Sequence, residues 1–378
     1  MTGSMTGPLT GTLVLDFSTL LPGPMATLLL AEAGAEVYKI ERPGTGEDMR
    51  SYPPAWGRDS VNFAMLNRGK KSLALDLKNK EHVASLMPLL KKADVVIEQF
   101  RPGVMDRLGL GYNDIKAINP RAIYCSISGY GQTGPKRDVA GHDINYLGDS
   151  GLLALSLGTP ETPVMPPALI ADIAGGTYPA VVNILLALMD RNRTGHGTHL
   201  DIAMADGVFP FTYWAMGQGQ ATAKWPGSGD GLVTGGGARY RLYPTKDGRY
   251  MASGCIEQKF WESFAAVIGL EPALIDDTKD KVATVKRVAA IIASKTAAEW
   301  RPILAKADCC CTIVASLQEA MADPHFKARG LFAETLVNEA GAEMVALPVP
   351  IAPQFRSHKG QKVGASKLGA DNGDLSGT

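Results

Sequence analysis

The sequence predicts an α/β protein, with a Rossmann-like parallel-sheet large domain and a smaller α+β domain. Three observations point to the two-domain α/β part. Short apolar runs alternate with helical patterns from Leu13 to Ser128, the alternation breaks after Pro135, and a hairpin signal followed by mainly helical chain fills the later part. At 378 residues the chain also exceeds one ordinary core.

Leu13 to Phe17 reads as a buried strand, and Pro24 to Gly34 as a helix with Pro at its start and Gly at its end. Glu36 to Ile40 and Ser72 to Leu77 are strands, Lys80 to Lys92 is a helix, and Val95 to Glu98 and Ile123 to Ser128 are strands. Strands separated by helices imply a parallel sheet covered on both faces, with ligands at the carboxyl ends of its strands. Next come a long helix from Asp172 to about Asp190, a polar turn at Arg193 to Gly197, and a strand at His199 to Ala203. Gly227 to Gly237 is glycine-rich and reads as a mobile loop. Tyr240 to Tyr243 and Tyr250 to Ser253 read as strands of a hairpin joined through Lys246-Asp247-Gly248. Glu257 to about Met321 is mainly helical, and Ala333 to Pro350 carries strand and proline signals of a segment returning to the first domain. The expected division is 1–195 for the large domain, 196–330 for the small domain and linkers, and 331–378 for the returning segment.

Lys+Arg and Asp+Glu are equal at 38 each. Without a basic excess, nucleic acid is not the expected partner. No run approaches the ~20 apolar residues that span a bilayer. Ile184 to Met189, among the longest uninterrupted apolar runs, reads as part of a buried helix, and Met1 to Pro8 lacks a secretory pattern. A cytoplasmic protein without a membrane partner is expected. Cys309, Cys310 and Cys311 are adjacent, which suits neither a disulfide framework nor a Cys-x-x-Cys metal site; they read as part of a buried strand. The histidines show no metal spacing, so no metal and no redox cofactor is expected.

Gly129-Tyr130-Gly131-Gln132-Thr133-Gly134 matches a dinucleotide fingerprint after a strand. That motif works only if a helix opens at its last glycine and aims amides at a pyrophosphate. Pro135-Lys136-Arg137-Asp138 follows instead, which reads as a loop and argues against nicotinamide binding.

Three other segments carry chemistry. Gly141-His142-Asp143-Ile144-Asn145-Tyr146 packs a base, an acid and an amide into one turn; Asp172 lies in apolar surroundings at a helix start; Glu257 follows a strand where a helix begins. Each also has a structural reading: Asp172 as an N-cap, Glu257 as complement to a helix dipole, His142 as a satisfied loop histidine. Arg42, Arg68, Lys71, Arg101 and Arg107 are placed in loops following strands or in the helix starting nearby, where guanidinium forks suit phosphate and solvated surface charge is the alternative.

Several motifs occur in one order: Leu21-Pro22-Gly23-Pro24, Ile40-Glu41-Arg42-Pro43, Asn67-Arg68-Gly69-Lys70-Lys71-Ser72, Phe100-Arg101-Pro102-Gly103-Val104 with Arg107-Leu108-Gly109-Leu110-Gly111, Ser128 to Pro135, and Asp323-Pro324-His325-Phe326 with Ala328-Arg329-Gly330. In that order they resemble class III CoA-transferases (the CaiB/BaiF family) over about residues 8 to 350. The block from Gly141 to Tyr146 looks like the α-methylacyl-CoA racemase branch, whereas formyl-CoA-type transferases share Asp172 and usually lack the histidine block. The resemblance implies that His142, Asp172 and Glu257 are catalytic, that Tyr146 and the basic residues above contact CoA, and that CoA enters as part of the substrate. It implies a racemase or epimerase acting at the α-carbon of 2-methyl-branched acyl-CoA thioesters. Asp172 would serve one face of that carbon, and His142 paired with Glu257 the other, through an enolate held by backbone N–H groups. The alternatives are a CoA-transferase with Asp172 as nucleophile and a non-catalytic acyl-CoA binding protein. Ile256-Glu257-Gln258-Lys259-Phe260 departs from the Glu-Pro-Gln-Phe frequent in relatives, which bears on the local backbone there. The interlocked homodimer is likewise carried by the resemblance.

Overall fold

The computed structural model describes residues 7–375. The chain forms two compact units: one holds the chain up to Ser150, Ala168–Pro210 and the part from Pro324 onward, the other Gly151–Pro167 and Phe211–Asp323. Relative to the division expected from sequence, 151–167 joins the second unit, while 196–210 and 324–330 belong to the first.

The first unit is built on a six-stranded sheet. Its strands are β1 (Leu13–Asp16), β2 (Glu36–Glu41), β3 (Lys71–Ala74), β4 (Val95–Glu98), β5 (Ile123–Ser128) and β6 (His199–Ala203). They lie in the order β3-β2-β1-β4-β5-β6, and every pairing is parallel. Val14, Leu15, Val95, Val96, Ile97, Ile123 and Ile127 are fully buried, as covering both faces demands. The order reverses between β1 and β4, which opens a crevice at their carboxyl ends.

β3 is shifted relative to the expected Ser72 to Leu77, because Asp76 turns the chain. The Asp76 carboxylate accepts from Lys78 N–H at 3.0 Å, and its carbonyl accepts from Asn79 N–H at 2.9 Å. Helix α1 (Pro22–Glu32) opens on Pro22 and is buried along its whole length; α2 (Lys80–Lys92) is capped by the Asn79 side chain. Helix α3 (Asp143–Asp149) follows the glycine-rich turn after β5. A π-helical turn, Ala171–Thr177, runs directly into α4 (Tyr178–Thr194), and a short helix α5 (Met204–Val208) follows β6.

Contrary to the expectation from uninterrupted runs, Ala171–Thr194 is long and apolar enough, by length and composition, to cross a membrane. In the fold, its Ala180, Ile184, Ala187, Leu188 and Arg191 are buried, and α4 packs on β5 and β6, with Arg191 paired to Asp94 at 2.9 Å. Within the first unit the C-terminal part packs against the earlier chain: Leu336 and Ala346 cluster with Ala64, and Tyr38 donates to Asp374 at 2.7 Å.

The second unit carries an antiparallel sheet of β7 (Tyr240–Pro244), β8 (Tyr250–Gly254) and β9 (Cys311–Ile313), ordered β9-β8-β7. Helix α6 (Gln258–Ile268) and its successors cover one face around Trp261, Phe264, Trp300, Tyr243 and Met251. The three adjacent cysteines do not form one buried strand. Cys309 is buried, Cys310 is exposed at φ 51°, and Cys311 alone enters β9.

Candidate active site

The segment after β1 is held by buried side chains. Asp16, with no exposed surface, accepts from Ser18 N–H at 2.9 Å, from Thr27 Oγ1 at 2.5 Å and from Lys70 Nζ at 3.2 Å. Lys39 Nζ donates to the Ser18 carbonyl at 2.8 Å and pairs with Glu47 at 3.1 Å; Glu47 in turn accepts from Leu20 N–H at 2.6 Å. Gln99, after β4, accepts from Gly23 N–H at 3.0 Å. These contacts fix Leu20 at φ 63°, an unusual value for a branched residue. Burial alone would raise the Asp16 pKa, but Lys39, Lys70 and the two hydroxyls hold it down at about 2.

This segment walls a cavity of ≈ 470 Å³ that also receives Arg101, His142, Tyr146 and Asp172. Asp172 is half-buried in the π-helical turn, and its N–H donates to the Asp143 carboxylate at 3.0 Å. Asp143, the first residue of α3, is buried and so ties that helix to the turn. His142 is the N-cap residue of α3; its N–H donates to Asn145 Oδ1 at 3.0 Å, while the residue stays exposed. Tyr146 donates to the Gly141 carbonyl at 2.5 Å. Its ring fills the space beside Gly129, where a Cβ would stand 2.5 Å from it. The glycine of the false fingerprint thus admits an aromatic ring, and no helix opens before Asp143.

Burial raises the Asp172 pKa to about 6, the nearby Asp143 carboxylate adds to this, and His142 opposes it. A carboxyl group near neutrality can give and take protons at working pH. Burial, with Asp172 and Asp143 behind it, pushes the Tyr146 phenol up to about 12, so that group stays a donor.

A second cavity, of ≈ 330 Å³, lies at the carboxyl ends of β2 and β3, with Ile40, Leu75, Leu77 and Leu108 among its apolar walls. Thr19 and Phe100 line both cavities, which makes them neighbours. Arg42 lines the second and is paired with Asp48; Arg107 is exposed, one residue before Leu108.

The remaining predicted residues lie elsewhere. Arg68 is 3% exposed, pairs with Glu32 at 2.8 Å and donates to the Met65 and Leu347 carbonyls. Lys71 opens β3 at its amino end, pairing with Glu36 at 2.7 Å and Asp374 at 2.8 Å. Arg68 lies just before β3 and Lys71 is its first residue, so neither sits in a loop at the carboxyl end of a strand; neither lines either cavity, and their charges are met internally. Glu257 belongs to the second unit; it is the exposed N-cap residue of α6, and its side chain makes no cap bond. Sequence reasoning missed Asp143 as a partner of Asp172, Arg137 as a cavity residue, and the Asp16–Lys70 and Lys39–Glu47 pairs. A charged residue inside an otherwise apolar strand, as at Asp16 and Lys39, was the available signal.

The sequence profile described as CoA-transferase family III matches residues 9–372. The chain is 37% identical over 355 residues to human alpha-methylacyl-CoA racemase, covering 92% of this chain and 89% of that protein. It is 34% identical over 376 residues to the acetyl-CoA:oxalate CoA-transferase of Acetobacter aceti, covering 96% and 93%. Among solved structures, a CAIB/BAIF family protein from Brucella suis superposes with a TM-score of 0.80 at 29% identity, over 98% of this chain and 99% of that one.

Proposed function

The chain belongs to CoA-transferase family III, and from that premise we propose that it interconverts the two configurations at the α-carbon of 2-methyl-branched acyl-CoA thioesters. One observation carries the reading: Asp172, its pKa raised to about 6, shares a cavity with His142, which no transferase step requires. Inversion needs a proton to leave one face of the carbon and another to reach the opposite face. Asp172 takes one face and His142 the other, each acting as base in one direction and acid in the reverse. Glu257 is counted as a further catalytic residue on the family resemblance alone. These transfers need only side chains, with CoA carried in by the substrate. The enolate that forms between them needs donors fixed in advance.

The pair of cavities supports a thioester threaded past Thr19 and Phe100. The nucleotide end would occupy the apolar slot near Arg42 and Arg107, and the acyl carbon would lie near Asp172, with Arg101 and Tyr146 beside it. The working form on this reading is a homodimer. In support, one face of α4 leaves Val182, Leu186 and Met189 exposed.

The second reading is a CoA-transferase with Asp172 as nucleophile, favoured by the similar identity to the Acetobacter transferase. Incubation with each enantiomer of a 2-methylacyl-CoA in heavy water, without an acceptor acid, separates the two. A racemase installs deuterium at the α-carbon, and Asp172→Asn nearly stops inversion in both directions. Absence of α-deuterium with the wild type, together with a hydroxylamine-sensitive adduct on Asp172 when acceptor acid is added, would overturn the racemase in favour of the transferase.

A further inference from the structure

In the second unit, Ser253 of β8 lies directly opposite Cys311 of β9. The Ser253 hydroxyl stands 3.0 Å from the Cys255 sulfur and 3.6 Å from that of Cys311. Past the end of β8 the chain makes a tight turn, with Ile256 N–H bonding to the Gly254 carbonyl at 3.0 Å, so that the Ser253 hydroxyl stands between the Cys255 and Cys311 sulfurs and both thiols sit beside it. Cys255 has no exposed surface, whereas Cys311 is half-buried and lines a cavity of ≈ 250 Å³ with Arg301, Leu304 and Thr312. A buried cysteine used only as a small hydrophobe needs neither a thiol partner nor an opening toward solvent.

We propose that Cys255 and Cys311 are a modification site, a thiol pair that hydrogen peroxide or a related hydroperoxide converts to a reversible disulfide. One sulfur of the pair, as thiolate, attacks a peroxide oxygen and breaks the O–O bond, leaving a sulfenic acid and, after protonation, one water. The second thiol attacks that sulfur, forms the S–S bond and releases a second water. Two thiols are oxidised by two electrons and the peroxide is reduced. Within the pair Cys255 is the sulfur set up to ionise: the neighbouring Cys311 thiol, with Ser253 and Arg239 assisting, holds the Cys255 thiol below its usual range despite burial, whereas Cys255 and burial push the Cys311 thiol up. Cys310, though exposed, has its thiol raised, chiefly by desolvation with Glu257 and Asp308 adding, so accessibility alone does not select the reacting sulfur.

Cys255 stands two residues before Glu257, so a new bond to β9 pulls on the turn that carries that carboxylate. This consequence for activity rests on the proposed role of Glu257; the modification itself does not. The test exposes the purified full chain to a few equivalents of hydrogen peroxide, alkylates under denaturing conditions and maps peptides by mass. Titratable thiols should fall from five to three, with a Cys255–Cys311 linked peptide that dithiothreitol removes. Cys255→Ser and Cys311→Ser should each abolish the link, with Cys→Ala at the same positions as a check on packing, while Cys310→Ser should leave it. Linkage through Cys309 or Cys310, or five free thiols after treatment, overturns the proposal. Oxidised protein should lose at least about tenfold in α-proton exchange, recovered with dithiothreitol. A mapped Cys255–Cys311 bond with undiminished exchange confirms the modification site and counts against Glu257 as a catalytic residue.

Discussion

Asp172 is governed by Asp143, an acid that the sequence placed beside His142 without showing that it meets Asp172. Asp143 accepts the Asp172 N–H from 29 positions away and adds negative charge to a carboxyl group already raised by burial. Because the folded pKa, about 6, lies above the ordinary 3.8, the stability tied to this group is present below about pH 4 and lost as pH rises through about 6. The basic form that the proposed racemisation needs appears over that same window. Asp143→Asn keeps an acceptor for the amide but removes the charge, so the acid limb of kcat/KM should move to lower pH. A limb unmoved in a pH–rate profile would show that Asp143 does not tune the base. Asp16 behaves oppositely: held at about 2, it contributes stability above its ordinary range that is lost as pH falls toward 2. Asp16→Asn leaves Lys70 buried without its ion-pair partner and should cost ~3–5 kcal/mol in denaturant unfolding. Asp172 was legible as a helix-start acid in apolar company. Arg68 and Lys71 were misplaced because sequence shows a charge without showing what meets it. Glu32 lies 36 positions from Arg68, and Asp374 lies 303 from Lys71.

Among elements, the π-helical turn bearing Asp172 is positioned by its crossing with α5. A Cβ on Gly175 would stand 2.3 Å from the Met204 carbonyl oxygen, and one on Gly207 would stand 2.3 Å from the Gly175 carbonyl oxygen. Backbone touches backbone there, so no side chain can move aside. Gly207→Ala should therefore destabilise by about 1–3 kcal/mol. It should also lower kcat while leaving CoA affinity, measured by calorimetry, nearly unchanged. Equal losses in both would place α5 in CoA binding instead. The strands of the large sheet were legible because burial on both faces writes them as apolar runs bounded by turns. The ends of β3 and the Cys309–Cys311 stretch were not, since Asp76 and Cys310 redirect the chain through local geometry that composition does not record. The glycines at 129–134 suggested phosphate binding, whereas Gly129 is needed for the approach of Tyr146, a contact between elements rather than a local signal.

For the whole molecule, alternating strand and helix patterns sufficed for a parallel sheet, and the β3-β2-β1-β4-β5-β6 order puts its crevice where Thr19 and Gln99 meet the cavity. Assigning 151–167 to the second unit was beyond sequence, because it depends on pairings such as Leu157 N–H to Ser228 Oγ at 2.9 Å, 71 positions apart. The same scale decides assembly. Helix α4 buries Ala180, Ile184 and Leu188 but leaves Val182 54%, Leu186 57% and Met189 70% exposed, an apolar stripe on its opposite side. A stripe of this kind on a folded chain marks an interaction surface. If a second copy covers it, apparent stability depends on protein concentration, because association draws the folded state by mass action. The unfolding midpoint should then rise with concentration, and sedimentation should show a single species of twice the chain mass from micromolar to nanomolar. Leu186→Glu combined with Met189→Glu places two like charges on the stripe. The variant should sediment as a single chain, unfold at a midpoint independent of concentration, and do so below the wild-type midpoint. A compact wild-type monomer persisting at nanomolar concentration would remove the homodimer, and with it any need for α4 to be covered by another copy.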